Sequence, residues 1–459
     1  MLKFFLFLRE KKYFIFIFLL AFFNLFFFLD KLPVFSWDEA RHGISAYEMV
    51  KNGNFFVHNY LGEPDYWNLK PPLGFWFIGL AYKIFGFSIF SLRFFSAFFA
   101  FISILLCFRI FKHFFDENVA FISSSFLSLS NAYIHLHSGR TGDFDAIFSF
   151  IFVLTAYILV FKKENLFKFL LLGVVVSFGF LVKSFAFIQI ILLIFLFYFL
   201  NGNFKIKNFF VMLLFAIIPV ALWAYFRYQF DGFKFFQSMI GYDFVSRSKV
   251  ALEGHPSTNL HYLEPILLNN LFWSIFLIPA FFYKNELKFN LKGQISFYIK
   301  INEFLSHPLV ISWLLASLLV PFLVKTKCAW YVNSAHPVMA LIATWYIIQN
   351  EKLKYKKWIW GLLVFNFIAI WVRTFFLNEG SVYREIKEQK PLLQAVKSMD
   401  REFYFDPDNA LQADIFILEV VGGGKVYKNE SGIIFTKNRD RFNNSKVITN
   451  FDGWYIIEK

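Results

Sequence analysis

The chain has 459 residues, of which 58% are hydrophobic, 23% aromatic and only 17% charged, with Phe at 72 positions. Soluble domains average about 45–50% apolar and about 25% charged residues, so the composition excludes an ordinary soluble enzyme and places the chain in a membrane. The formal charge of +14 collects in a subset of loops and gives no ground for a nucleic-acid partner.

A bilayer core about 30 Å thick takes roughly 20 apolar residues per helix. Such runs recur at 13–29, 91–111, 118–136, 144–161, 166–182, 185–200, 208–226, 263–282, 307–324, 331–349 and 357–377. Eleven helical spans are therefore expected, because lipid offers the backbone no hydrogen-bond partner. Lys and Arg gather in alternate loops, at Arg9, Lys11 and Lys12, at Lys112, at Lys162 and Lys163, at Lys205 and Lys207, from Lys284 to Lys300, and from Lys352 to Lys357. The positive-inside rule makes these loops cytoplasmic and puts residues 30–90 and the tail after 378 on the outer face. The first apolar run has no small-residue cleavage motif and is expected to be a retained span. Cys107 and Cys328 are isolated and make neither a disulfide nor a metal pattern.

The loop after the first span is long, and long loops are usually functional or separately folded. It packs Asp38, Glu39, Arg41, His42 and Glu48 into eleven residues of an otherwise charge-poor chain. Ala40, Ile44, Tyr47 and Val50 recur at helical spacing, which predicts an amphipathic helix from Asp38 to Asn52 with Ser36 and Asp38 as caps. Leu61-Gly-Glu-Pro64 reads as a turn. The apolar run 71–85 would break the alternation of charged loops if it crossed the membrane, so it is expected to be a re-entrant or interfacial helix.

Spans two and three form a hairpin whose outer end carries Arg140, Asp143 and Asp145. Ionisable groups at membrane depth are costly and point to function. Lys183-Ser184 forms a tight outer turn, and loop 227–262 holds Asp243, Arg247, Lys249, Glu253, His255 and His261. The turn after the ninth span reads Lys325-Thr-Lys-Cys-Ala-Trp-Tyr331. From about 381 alternating runs at 402–405, 425–427, 432–436, 446–449 and 454–457 read as strands, and 391–398 and 410–421 as helices. The expected fold class is an all-α polytopic membrane protein over residues 1–380, followed by a small extracytoplasmic α/β domain over 381–459.

Cations on the outer face run against the usual depletion there. They suggest an anionic ligand, and at a headgroup boundary the obvious anion is a lipid phosphate. Arg grips phosphate through paired hydrogen bonds and Lys as a point charge, while a nearby carboxylate can take a proton from an incoming hydroxyl. These parts describe group transfer from a lipid phosphate to a hydroxyl.

Trp37-Asp-Glu-Ala-Arg41, Leu61-Gly-Glu-Pro64, Lys70-Pro-Pro-Leu73, Arg140-Thr-Gly-Asp-Phe-Asp145, Gly179-Phe-Leu-Val-Lys183 and Lys325-Thr-Lys-Cys-Ala-Trp-Tyr331 resemble, in that order, the motif set of the GT-C membrane glycosyltransferases. The branch is that of the protein O-mannosyltransferases and the lipid A aminoarabinose transferases, and the resemblance covers residues 13 to about 350. It implies an inverting transferase that takes a sugar from a polyprenyl-phosphate donor on the extracytoplasmic side of the bacterial inner membrane, with a lipid, protein or glycan as acceptor. Asp38 would be the essential carboxylate, with Glu39 beside it and Asp145 as the second acidic group. Lys70, Lys183 and Lys325 would hold the donor phosphate, joined by Arg41 and Arg140, while Asp143, Tyr331 and His255 would line the acceptor pocket. Leu69 stands where aminoarabinose transferases usually carry a glutamate, so a divalent metal stays open.

Plainer roles stand beside these. Asp38 and Glu39 could merely stabilise a helix N-terminus, worth about 0.3–1 kcal/mol; Asp145 could pair with Arg140, or Asp143 could be the working acid; Lys183 could snorkel. His135 and His137, two apart, do not share a helix face and read as structural. The rival classes are a transporter or flippase, which would show repeated halves and broken helices at the midplane, and a ligase moving a whole glycan.

Overall fold

The computed structural model describes residues 2–282, 287–291, 295–299, 304–350, 356–375 and 381–459. The chain is mostly helical. Helices α1 (Leu2–Phe26), α2 (Asp38–Asn52), α3 (Leu73–Phe85), α4 (Ile89–Phe114), α5 (Glu117–Ser128), α6 (Asn131–His135), α7 (Asp145–Phe161), α8 (Leu166–Lys183), α9 (Ile188–Leu200) and α10 (Ile206–Asp231) fill the first half. Later come α11 (Pro308–Leu323), α12 (His336–Gln349), α13 (Lys356–Phe375) and α14 (Ser381–Lys397).

Among the described residues, three helical stretches are long and apolar enough to cross a membrane unaided: Ile89–Phe114, Leu166–Leu200 and Ile206–Asp231. Several expected spans are broken or short instead, and the breaks have physical causes. Run 118–136 stops at Ser128 and restarts after Ser130, whose hydroxyl caps α6 through the Tyr133 amide. Leu166–Leu200 leaves α geometry at Ser184, where φ is +37°, at the Lys183-Ser184 turn expected between two spans. Run 263–282 falls into short pieces; there Asn270 donates to the Pro265 carbonyl and Ser274 to that of Leu267, so side chains replace the lost helical bonds.

The structure divides into two compact units. The first comprises Met1–Phe27, Ser96–Arg140 and Phe144–Trp371. Its helices approach closely at small residues: a Cβ on Gly173 of α8 would lie 2.5 Å from the Met212 carbonyl of α10. Polar groups join other pairs, as small and polar residues do between membrane helices. Asn24 of α1 donates to the Ser128 carbonyl, the Trp313 indole to that of Ser334, and Ser334 meets Gln189 of α9 at 2.9 Å.

The second unit comprises Phe28–Phe95, Thr141–Asp143 and Val372–Lys459. Helix α2 has the bounds its spacing predicts, and Gly53 closes it in the left-handed region. Its start differs from expectation: Trp37 is the N-cap residue and no side chain caps the helix. Strands β1 (Asn59–Tyr60) and β2 (Glu63–Pro64) form a tiny hairpin around Leu61 and Gly62, at φ +56° and +82°, the paired positive angles that a tight hairpin turn requires.

The expected C-terminal strands are present. After the separate hairpin of β3 (Leu287–Leu291) and β4 (Ile295–Ile299) come β5 (Phe403–Phe405), β6 (Lys425–Val426), β7 (Ile433–Thr436), β8 (Lys446–Phe451) and β9 (Trp454–Glu458). The last five make one sheet in the order β6-β5-β7-β9-β8, with β5 parallel to both its neighbours and β9 antiparallel to both of its own. This sheet's helices pack on the first loop. Gln389 bonds both the amide and the carbonyl of Val34, and Gly43 of α2 leaves room for the Phe416 ring, which a Cβ there would meet at 2.4 Å.

Candidate active site

In the second unit the groups gather at the N-terminus of α2. Asp38 Oδ1 accepts from Lys70 Nζ at 3.1 Å, and the same ammonium reaches Asn68 Oδ1 at 3.2 Å. Both members of the pair keep about a fifth of their side-chain surface exposed, 23% for Asp38 and 21% for Lys70, so a substrate can reach them. The pair joins the Trp-Asp-Glu-Ala-Arg and Lys-Pro-Pro segments in space.

Glu39 is held differently from Asp38. It is fully buried against Arg93 of α4, Nε to Oε1 at 2.6 Å and Nη2 to Oε2 at 3.0 Å, and it also accepts from the amides of Gly142 and Phe35. With four donors on two oxygens it has little capacity left for a substrate proton. Arg93 spends its other donors on the carbonyls of Leu29, Leu32 and Pro33. The Arg93–Glu39 clamp thereby ties the end of the first span, the start of α2 and the Thr141–Asp143 segment together.

His42 lies one turn beyond Asp38, buried, with Nδ1 3.3 Å from the Gly142 carbonyl and 3.9 Å from Asp143. Burial, reinforced by the Lys70 ammonium, pushes its pKa down to about 4, against the pull of Asp38 and Asp143. The imidazole is therefore neutral at physiological pH. Arg41, expected on phosphate, is instead bidentate on Asp65 at 2.6 and 2.9 Å and stacks over the rings of Tyr60 and Trp67. Burial pushes the Asp65 carboxyl up, but the Arg41 guanidinium holds it below its ordinary value. The guanidinium fork is occupied in shaping the loop.

In the first unit Asp145, in the first turn of α7, forms an ion pair with Lys183 at the end of α8. The ammonium lies 5.4 Å from the centroid of the Tyr331 ring, so three expected residues from three loops meet. The 325–331 turn is stitched to the second large loop, with the Thr326 amide donating to the Arg247 carbonyl and the Lys327 amide to that of Pro256. Trp330 stacks on His137 at 3.6 Å and meets His255 edge-on at 5.7 Å. Arg247 pairs with Asp243 and Glu253. Lys325 is exposed, whereas Lys327 is buried and donates to the Pro321 and Phe322 carbonyls at the end of α11. Arg140 gives two bonds to the carbonyls of Asn24 and Phe27 at the end of α1.

Three comparisons bear on this arrangement. Residues 69–226 match the family model described as dolichyl-phosphate-mannose-protein mannosyltransferase. An undecaprenyl phosphate-alpha-4-amino-4-deoxy-L-arabinose arabinosyl transferase 2 of Pseudomonas fluorescens is 29% identical over 158 residues, 32% of this chain and 28% of that protein. An uncharacterized protein of Aquifex aeolicus is 28% identical over 347 residues, covering 72% of this chain and 64% of its own length. The fold matches the crystal structure of ArnT from Cupriavidus metallidurans bound to undecaprenyl phosphate, with a TM-score of 0.70 over 97% of this chain and 98% of that one, at 11% identity. Residues 69–226 are thus similar to the protein mannosyltransferase family, and the fold is that of the ArnT structure.

Leu69, where the resemblance leads to an expected glutamate, is buried and apolar. The residues alone did not point to Arg93 or Asn68. For Arg93 a signal existed, a lone guanidinium inside an apolar run; for Asn68, an amide in an ordinary loop, there was none.

Proposed function

We propose that this chain is a GT-C glycosyltransferase that transfers a sugar from a polyprenyl-phosphate carrier to a hydroxyl or phosphate acceptor, a lipid, glycolipid or protein, on the extracytoplasmic face of the bacterial inner membrane. The observation that carries the reading is the Asp38–Lys70 pair, a carboxylate and an ammonium 3.1 Å apart and open to solvent, in the segments that carry the family likeness. Asp38 accepts the proton of the acceptor hydroxyl as its oxygen attacks the anomeric carbon. The bond from that carbon to the carrier phosphate breaks, the configuration inverts, and the polyprenyl phosphate leaves with the bonding electrons. Lys70 offsets the charge that develops on the departing phosphate, the role in which fixed charges contribute most; the resemblance implies the same role for Lys183 and Lys325. Asp145 holds Lys183 in place.

The test is mass spectrometry of envelope lipids and glycoproteins from cells with and without the gene. A hexose or amino sugar is expected to vanish in the deletion, to return with the wild-type gene and to stay absent with Asp38→Asn. Return of the sugar with Asp38→Asn removes Asp38 from the reaction, and an unchanged envelope in the deletion removes the transferase reading.

A further inference from the structure

Trp37 breaks two local rules at once. N-cap positions favour Ser, Thr, Asp, Asn or Gly, whose side chains or small size suit the exposed amides, and an indole can do neither. Its backbone also sits at φ +71°, ψ −119°, a region that residues with a Cβ rarely enter. Yet the side chain gains no burial in return, since 62% of it is exposed.

The surroundings hold this conformation firmly. The Trp37 amide donates to Gln412 Oε1, Ser36 Oγ accepts from the Ala413 amide, and the Trp37 carbonyl accepts from the Arg41 amide. Strain kept in place by several partners is characteristic of working sites.

A second indole stands beside it. The Trp67 ring lies 5.8 Å from that of Trp37, tilted by 41°. Trp67 is itself fixed, its amide donating to Asp65 and its ring lying under the Arg41 guanidinium at 4.7 Å. Next along the chain, Asn68 is buried and gives Oδ1 to Lys70, while its Nδ2 has no hydrogen-bond partner among the described residues. A buried donor left without an acceptor calls for an explanation, such as a ligand oxygen.

We infer that Trp37 and Trp67 form a platform for a pyranose ring, whose C–H face lies on the indoles while its hydroxyls meet Asn68, Asp38 and Lys70. The electron-rich face of an indole attracts weakly positive C–H groups, and a few placed polar groups beside an apolar surface are what orient a small polar ligand. An indole that only anchors a protein at the membrane interface needs neither a second ring held beside it nor a strained backbone. The inference rests on the proposed sugar transfer and deepens it, naming Trp37 as a binding and specificity residue. The sugar belongs either to the donor or to the acceptor.

The test uses the full chain in lipid nanodiscs. Binding is measured for undecaprenyl phosphate and for the same carrier bearing mannose or 4-amino-4-deoxy-L-arabinose. Transfer is then followed against graded amounts of envelope glycolipid from the deletion strain. The variants are Trp37→Gly, which removes the ring and suits the positive φ, and Trp37→Phe, which keeps an aromatic face. If the donor sugar sits on the platform, Trp37→Gly weakens the sugar-bearing carrier by about tenfold, as loss of a buried aromatic contact does, and leaves the bare carrier unchanged. If the acceptor sugar sits there, carrier binding is unaltered and the half-saturating amount of glycolipid rises by about tenfold. In both cases Trp37→Phe recovers most of the loss. Unchanged binding and transfer in Trp37→Gly, or equal weakening of bare and sugar-bearing carriers, overturns the platform and leaves a membrane anchor or a fold element. Failure of the wild-type chain to bind any of the carriers overturns the transferase reading itself, and that is read before any variant is made.

Discussion

Arg93 and Glu39 lie 54 positions apart and meet as a fully buried pair, with both guanidinium nitrogens that face the carboxylate within 3.0 Å of it. Removing one partner of such a pair strands the other charge away from water, a loss of about 3–5 kcal/mol. Arg93→Met is therefore expected to lower the thermal midpoint of the detergent-solubilised chain sharply. Arg93→Lys should recover little of it, because one ammonium cannot serve five acceptors in a planar fork. A midpoint for Arg93→Lys equal to the wild type would show that the fork geometry is dispensable.

Lys183 and Lys325 are expected to separate in effect. Lys183 is held by Asp145 and lies beside Tyr331, so it keeps a fixed position in which a cation can act on a developing charge. Lys183→Ala should reduce transfer by about a hundredfold or more, the range seen when one preorganised charge-stabilising group is lost. Exposed Lys325 should matter far less, because solvent and salt screen it. Initial rates in membrane vesicles decide between them, and equal losses would contradict the difference in fixation.

Glu48 of α2 and Glu419 of the C-terminal part are both buried carboxyl groups. Burial, and then the Glu48 charge, pushes the Glu419 pKa up to about 8, while burial raises the Glu48 carboxyl against the opposing Gly62 and Leu61 amides. Folded Glu419 keeps a proton that the unfolded chain has lost, so its contribution to stability is complete below the ordinary carboxylate range and lost as pH rises to about 8. His42 acts on the acid side: its folded pKa near 4 lies below the ordinary 6.5, so stability falls as pH drops through that window. Thermal midpoints measured against pH should decline on both sides. Glu419→Gln should flatten the alkaline decline alone, and an unchanged alkaline limb in that variant would refute the assignment.

Gly173 sets the approach of α8 to α10. A side chain there meets the Met212 carbonyl and the Ala216 amide, backbone atoms that cannot swing aside. Gly173→Leu should force the helices apart, costing about 1–3 kcal/mol or more, as overpacking does. Lower yield of folded protein from membranes is the expected sign, and a wild-type midpoint would mean the helices have slack.

What the residues alone could reveal follows from how local each signal is. The α2 bounds were legible because apolar spacing and Gly53 both lie within the helix, and the C-terminal strands because alternation is a period of two. The count of spans was not. Its unforeseen breaks are made by Ser130 and Asn270, polar residues that look harmless in an apolar run and act by taking over backbone hydrogen bonds. Asp38 with Lys70, and Asp145 with Lys183, were foreseeable as members of motifs. That Glu39, Arg41 and Arg140 are sequestered by Arg93, Asp65 and the end of α1 was not, because a charge's partner is a matter of distance in space.

The Val34–Trp37 segment leans on Gln389, Gln412 and Ala413, as far as 377 positions downstream. A ribosome threads the first loop into place long before it makes those supports. The turn that presents Asp38 therefore lacks these supports until Gln389, Gln412 and Ala413 have been made.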